Sequence, residues 1–357
     1  MKRSILSLLM AGSISLLASA QPGPRQLTSI EVNPDRTVEF TVSAPDAGSV
    51  SLEIATGHYP LTKGEDGVWA VKTPPVAPGF HYYFMNIDGI RLPDPGSRMY
   101  HGFGHSVSGL EIPEEGTGWM DIREVSHGKV SLVNYYSAVS DSWMPLYVYT
   151  PAGYDDSDKR YPVVYVQHGG GEDYSGWIFQ GRAANILDNL IAEGKAVEMI
   201  LVAADGNSKS FRAELLENVI PFVERNFRTA KGPENRAMCG LSMGGGQSFD
   251  IGLNSPDVFS SIGVFSSGMF GGIPSGKEFD AEATAPGIYS DTAVFNDRHD
   301  VFYISCGEDD GRLPYTQKAV AQMREHGVDV VFESFPGDHD WQPWRKSLHS
   351  FVQLIFK

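Results

Sequence analysis

Ser242 stands between two glycines at the end of an apolar run, Ala237-Met238-Cys239-Gly240-Leu241-Ser242-Met243-Gly244. Gly-x-Ser-x-Gly is the pattern of a nucleophile elbow, a sharp strand-to-helix turn that pushes a serine hydroxyl clear of the sheet. Side chains two residues either side would collide with the neighbouring strand and helix, so Gly240 and Gly244 fill those positions. A helix N-terminus behind the serine supplies unpaired N–H groups where an oxyanion forms. A glycine-rich turn can carry a serine by chance. The chain must therefore also supply a base, an acid and oxyanion donors.

Three further loops each follow a strand-like run. His168-Gly169-Gly170-Gly171-Glu172-Asp173 comes after Tyr161–Gln167. A His-Gly-Gly-Gly loop in this position is a usual source of one oxyanion N–H, here Gly170 or Gly169; the other donor is the N–H of Met243. Cys306-Gly307-Glu308-Asp309-Asp310-Gly311 offers three acids to orient a histidine and stabilise its imidazolium, and spacing does not separate them. Gly337-Asp338-His339-Asp340-Trp341 offers the histidine as general base and then acid. A metal reading of Asp338-His339-Asp340 is disfavoured, because adjacent residues do not point at one ion and no His-x-x-x-His partner appears. The chain order Ser, Asp, His matches α/β-hydrolases and not the chymotrypsin or subtilisin orders. Such acyl-transfer chemistry needs no cofactor.

These loops need a parallel sheet to hold them, since such sheets carry chemistry at the strand C-terminal ends. From Lys159 onward, strand-like and helix-like segments alternate. Met199–Ala203, Arg236–Leu241, Ser261–Ser266, Val301–Cys306 and Asp329–Phe335 read as strands. Ala183–Gly194, Ala213–Phe227, Gln317–His326 and Trp344–Phe356 read as helices. A hairpin over Gly128–Tyr154 leads in, and the whole is an α/β-hydrolase arrangement with a mostly parallel sheet. Met269–Asn296, rich in Gly, Pro, Ala and Asp, is expected to be irregular and to wall the substrate cleft. Trp177 and Trp341 follow the glycine and histidine loops; each either stacks on substrate or packs beneath its loop.

Residues 21–112 alternate apolar and polar in short runs such as Thr37–Val42 and Val50–Ile54, with turn signals at Gly64–Gly67 and Asp88-Gly89. That is a small all-β, immunoglobulin-like sandwich. Residues 113–127 form a linker, and 128–357 the hydrolase domain. Trp69, Tyr82 and Tyr83 either stack on sugars or, as large aromatics usually do, fill the sandwich core.

The first twenty residues read as a secretory signal: Lys2 and Arg3, an apolar Ile5–Leu17, then Ala18-Ser19-Ala20. An exported, periplasmic or extracellular protein is expected, without membrane insertion once mature. The net charge of −16 over 357 residues argues against nucleic acid and anionic membranes as partners. Cys239 and Cys306, each at the end of an apolar run, read as two buried thiols, with a disulfide between them the alternative that an exported protein allows.

From about residue 128 onward the chain resembles the esterase D-like group, and within it carbohydrate esterase family 1, the feruloyl and acetylxylan esterases. The stretches that carry the likeness are YPVVYVQHGGGED, ILDNLIAEGKA, LLENVIPFVERNFR, ENRAMCGLSMGGGQS, YISCGEDD and GDHDWQPWR. The N-terminal part resembles the early-set domains that precede some secreted esterases and glycogen-branching-type enzymes, through VEFTVSAPDAGSVSLEI, DGVWAVKTPP, PGFHYYFMNIDG and RLPDP. The resemblance implies Ser242, Asp310 and His339 as the catalytic residues, with Glu308 or Asp309 as fallback acids. It implies Met243 and the Gly169–Gly170 pair as oxyanion donors. It also implies a polysaccharide or oligosaccharide ester as substrate, feruloylated (arabino)xylan first and acetylxylan second. LVAADGN departs from the family, which commonly shows a proline-containing loop there. A siderophore or other small-ester hydrolase shares the motifs, as do S-formylglutathione hydrolases, whose cytosolic role sits badly with export. A non-catalytic carbohydrate-binding protein on the same scaffold is the rival from another class, and the intact Ser242, Asp310 and His339 weigh against it.

Overall fold

The computed structural model describes residues 27–271 and 279–357. The leader over residues 1–20 and residues 272–278 of the 269–296 insertion lie outside the described residues.

Among the described residues, ten strands build the N-terminal sandwich: β1 (Thr28–Val32), β2 (Val38–Ser43), β3 (Val50–Ile54), β4 (Gly57–Pro60), β5 (Thr62–Lys63), β6 (Val68–Lys72), β7 (Gly79–Ile87), β8 (Ile90–Leu92), β9 (Met99–Gly102) and β10 (His105–Ile112). One sheet runs β1-β2-β6-β5; the other runs β4-β3-β7-β10-β9, with β8 on β7. Period-two burial makes the core: Val38, Phe40 and Val42 point inward while Glu39 is exposed. Trp69 and Tyr83 are buried there, which answers their sequence reading in favour of packing. Tyr83 donates to the buried Asp94 carboxylate at 2.7 Å, and Trp69 donates its indole N–H to the Ala44 carbonyl at 2.9 Å. The β9–β10 hairpin is not legible in the sequence, because its turn is Phe103-Gly104 and not a residue pair that favours turns.

The second domain holds one eight-stranded sheet from β11 (Lys129–Ser137), β12 (Ser142–Thr150), β13 (Val163–Gln167), β14 (Ile200–Ala204), β15 (Arg236–Leu241), β16 (Ser261–Phe265), β17 (Val301–Gly307) and β18 (Val331–Phe335). Their order is β11-β12-β14-β13-β15-β16-β17-β18. The first two strands are antiparallel, and the rest run parallel from β14 on. Strands β13 to β16 are almost wholly buried, as a sheet covered on both faces requires. Alternate residues feed two cores. Val163 and Tyr165 join the core under the helical segment 211–226. Val164 and Val166 join the core under the helices Ala183–Ala192 and Trp341–Phe351.

That second core crosses the domain boundary. Phe80 of β7 is buried in it beside Trp341, Trp344 and Met120. Beside it, Arg345 is 1% exposed and forms a two-pronged ion pair with Glu111 of β10, at 2.8 and 3.0 Å. Its Nε also donates to the Gln180 carbonyl at 2.6 Å. The last helix starts three residues earlier than its apolar periodicity indicates, because Asp340 caps it by accepting the Gln342 N–H at 3.0 Å.

Candidate active site

Strand β15 ends at Leu241, and the helix Met243–Gln247 begins one residue after Ser242. Ser242 takes φ 52° and ψ −111°, outside the regions open to ordinary L-residues. Two constraints hold it there. Its own N–H donates to the Phe265 carbonyl at 2.8 Å. A Cβ on Gly240 would lie 2.6 Å from the Gly244 carbonyl carbon, and one on Gly244 would lie 2.5 Å from the Gln167 carbonyl oxygen. Only bare backbone lets the elbow close against β13.

His339 stands over that serine, with Nε2 2.9 Å from Ser242 Oγ and Nδ1 2.7 Å from Asp310 Oδ2. Both ring nitrogens are thus engaged by protein partners. Of the three acids in the loop after β17, only Asp310 is buried; Glu308 and Asp309 are exposed. Burial alone would raise the Asp310 carboxyl. Hydrogen bonds from His339 and from the Arg312 backbone N–H and guanidinium outweigh it and hold the group down at about 2. Asp310 therefore stays ionised and fixes the proton of His339 on Nδ1, leaving Nε2 to accept from the serine. The acid and histidine loops pack backbone to backbone, for a Cβ on Gly307 would come within 2.5 Å of the Gly337 oxygen. Trp344 meets the imidazole edge-on at 5.0 Å.

The two candidate donors of the glycine loop differ in their partners. The Gly169 N–H is already spent on Glu172 Oε2 at 3.2 Å. Gly170 is exposed, and among the described residues its N–H has no protein acceptor. Met243 opens its helix, so its N–H is one of the first-turn donors without an intrahelical partner. Among the described residues, the N–H groups of Met243 and Gly170 are thus left without a protein acceptor.

Glu172 is the residue that the sequence reading passes over. It is 6% exposed and accepts from Tyr82 Oη at 2.9 Å, Trp341 Nε1 at 3.0 Å and the Gly169 N–H. Burial raises its carboxyl above the usual range, against the lowering pull of those donors. The Tyr82 hydroxyl is itself pushed up by burial and by the Glu172 charge, so it remains a donor. One carboxylate therefore ties the oxyanion loop to the histidine loop and to the N-terminal sandwich. The signal available was the acid directly following His-Gly-Gly-Gly.

Two expectations need correction. Trp177 is 1% exposed, its N–H donates to the Gln167 carbonyl at 2.8 Å, and its ring meets Trp341 and Phe265. It is a buried support with no free face for a substrate ring. Trp341 borders the cavity but is 2% exposed, with its indole N–H held by Glu172, so it braces the wall instead of offering a platform. No described residue of the insertion after β16 lines the cavity over Ser242 either. Among the described residues, the cavity of about 760 Å³ over Ser242 is lined by the catalytic loops and by the sandwich, through Thr56, Pro78, Phe80, His81, Tyr82 and Phe103. Cys239 and Cys306 are both buried and free, and burial raises both thiols, Cys306 to about 12.

The sequence model of the family described as "Putative esterase" matches residues 137–354. The chain belongs to that esterase family. An endo-1,4-beta-xylanase/feruloyl esterase of Xylanibacter ruminicola is 33% identical over 350 residues, which covers 91% of this chain and 46% of the relative. The chain thus spans about half the length of that relative. A CE1 ferulic acid esterase from Anaeromyces mucronatus, solved in complex with ferulic acid, has a TM-score of 0.57 at 26% identity, covering 67% of this chain and 95% of that one. An enterobactin esterase from Shigella flexneri reaches a TM-score of 0.64 at 15% identity over 92% of this chain and 96% of its own. At that identity it speaks for the fold alone, and its coverage takes in the sandwich as well as the hydrolase domain.

Proposed function

We propose that this member of the esterase family is a serine carboxylic-ester hydrolase that releases hydroxycinnamoyl groups such as ferulate from xylan. The observation that carries the reading is the continuous chain from Asp310 through His339 to Ser242 Oγ, beside the free N–H groups of Gly170 and Met243. Ser242 Oγ attacks the ester carbonyl while His339 Nε2 takes its proton. The carbonyl oxygen becomes an oxyanion between the two N–H groups, each worth roughly 3–4 kcal/mol in comparable sites. His339 returns the proton to the departing sugar hydroxyl, leaving an acyl-Ser242 ester. It then takes a proton from water as that water attacks the acyl-Ser242 ester, and it hands the proton to Ser242 Oγ as the C–O bond breaks and the acid departs. Asp310 remains ionised throughout.

Three things support an aromatic acyl group over acetyl: the names borne by the xylanase/feruloyl esterase and the ferulic acid esterase, the cavity volume, and its apolar lining from Leu241, Phe80, Pro336 and Trp344. A cavity of this size lies well inside the usual range for organic ligands and is larger than acetyl needs. Export is part of the same proposal. The basic start, apolar run and Ala18-Ser19-Ala20 support it, and among the described residues no helix is long and apolar enough to cross a membrane.

Side-by-side assay of ferulate and acetate release from arabinoxylan tests the reading. Ferulate is expected in excess, and acetate alone would move the assignment to an acetylxylan esterase. A serine-directed phosphonate is expected to label the wild type and not Ser242→Ala. Failure to label the wild type would return the chain to a non-catalytic carbohydrate binder.

A further inference from the structure

The cavity over Ser242 continues beyond the hydrolase domain. Ala55, Thr56, Tyr82 and Phe103 line it and also line a second cavity of about 240 Å³. The other walls of that second cavity, Glu53, Gly57, His58, Phe84 and Arg91, all belong to the sandwich. Phe103 stands where the two meet.

Nothing in the fold asks for a phenylalanine there. Phe103 is 61% exposed, so its ring contributes little to a core. Its φ is 55° and that of Gly104 is 79°, the paired left-handed values of a type I′ turn, which normally takes Asn, Asp or Gly. A bulky residue in that conformation is strained. The hairpin tip is nonetheless held firmly. Gly104 donates its N–H to the Gly171 carbonyl of the oxyanion loop at 2.7 Å, and the space beside Gly171 is filled by the Phe103 backbone. Tyr82 and Phe84 flank the ring at 5.4 and 5.9 Å between centroids. A strained, exposed, oriented aromatic ring is thus fixed beside the oxyanion loop, at the junction of two cavities.

The chemistry of the second cavity narrows its ligand. Arg91 and Glu53 pair at 3.0 Å, so their charges cancel and neither an anion nor a cation is favoured. The Arg91 guanidinium also lies 3.5 Å from the Phe84 ring centre. What remains is a set of hydrogen-bonding groups, namely the unused guanidinium N–H groups, the second Glu53 oxygen, the Thr56 hydroxyl and the His58 ring, beside aromatic surface. A neutral polyhydroxylated ring fits that combination, with one C–H face on the aromatic side chains and its hydroxyls on the polar groups.

We propose that the sandwich cavity is a subsite for the sugar chain that carries the scissile ester, with Phe103 as the stacking platform between the chain and the acyl site. The proposal rests on the reading of the protein as a hydrolase of carbohydrate esters. It adds that the N-terminal domain forms part of the substrate site itself.

The test separates the two readings by using ligands that lack the ester. In Ser242→Ala protein, unesterified arabinoxylo-oligosaccharides are titrated by NMR or calorimetry. Binding is expected, weakened about tenfold by adding Phe103→Ala, as loss of one stacked ring implies. It is expected to be retained with Phe103→Trp, which keeps an aromatic face, and reduced severalfold with Arg91→Ala. In the Ser242-intact protein, Phe103→Ala should lower the ratio of kcat/KM for a feruloylated oligosaccharide over that for methyl ferulate by about tenfold, chiefly through KM. Absence of oligosaccharide binding, or equal binding with and without Phe103, overturns the subsite. So does an equal fall in both kcat/KM values, which would show Phe103 acting only as a seat for the oxyanion loop. Oligosaccharide binding in a protein that cleaves no feruloyl ester would leave the subsite standing and sink the feruloyl reading.

Discussion

Two segments compete to wall the catalytic cleft, and they differ in what their sequences reveal. The insertion after β16 is rich in Gly and Pro and follows a strand of the catalytic sheet, as a cleft loop should. Its described part instead forms the short helices Ala281–Thr284 and Thr292–Arg298, with Phe279 packed on Phe249 and Tyr289 stacked on His326 at 4.0 Å. The β9–β10 hairpin lies more than 130 residues before Ser242 in the chain and carries no chemical motif, yet it sits on the oxyanion loop. Composition reports local irregularity. Which irregular segment meets the site is decided by domain docking, here through Phe80 and the Glu111–Arg345 pair, which local sequence does not encode.

The largest effect probes whether the chemistry lies where this wall meets the catalytic loops. Asp310→Asn should lower kcat about 10⁴-fold, because the histidine loses the partner that sets its tautomer. Glu308→Gln, altering an exposed neighbour, should stay near wild type in the same assay. Glu111→Ala comes next. It strands the buried Arg345 cation and should cost about 3–5 kcal/mol in thermal or denaturant unfolding. A small loss would mean that the sandwich is held elsewhere. Glu172→Gln replaces an all-acceptor carboxylate with an amide among three donors, and kcat should fall about 10²-fold while KM changes little. Tyr82→Phe should lower kcat severalfold in the same direction, although the residue belongs to the other domain. An unchanged kcat in both would detach the sandwich from the oxyanion loop. Tyr289→Ala, in the insertion, has the smallest expected effect: the melting temperature drops, and kcat/KM on methyl ferulate stays within about twofold, since the residue does not line the cavity. A large kinetic loss there would restore the insertion as a wall.

Much of the hydrolase half was legible because its signals are local. Continuous apolar runs mark β13 to β17, and Gly240 and Gly244 mark a turn that only glycine permits. The order of the three loops follows from the order of the strands. The choices left open were those that depend on contacts between distant segments. Asp310 differs from Asp309 and Glu308 only in facing inward toward a residue 29 positions away. Gly170 differs from Gly169 in being exposed and in keeping an N–H that Glu172 has not taken. Trp177 and Trp341 could not be sorted into platform or support, since an indole next to a motif looks the same either way in one dimension. Phe103 was invisible for the opposite reason, because it breaks the local rule for its turn.

The apolar core shared by Phe80, Met120, Trp341 and Trp344 bears on how this protein can be taken apart. A truncation that starts after Ile112 would uncover those indoles and leave Arg345 with no counter-ion, so it should aggregate and not behave as a minimal catalyst. Chimaeras that exchange the front half between related enzymes would have to carry equivalents of Phe80, Tyr82 and Glu111 with the graft. The unit of transplantation is then the whole two-part body, and libraries aimed at new specificities gain by randomising both halves together.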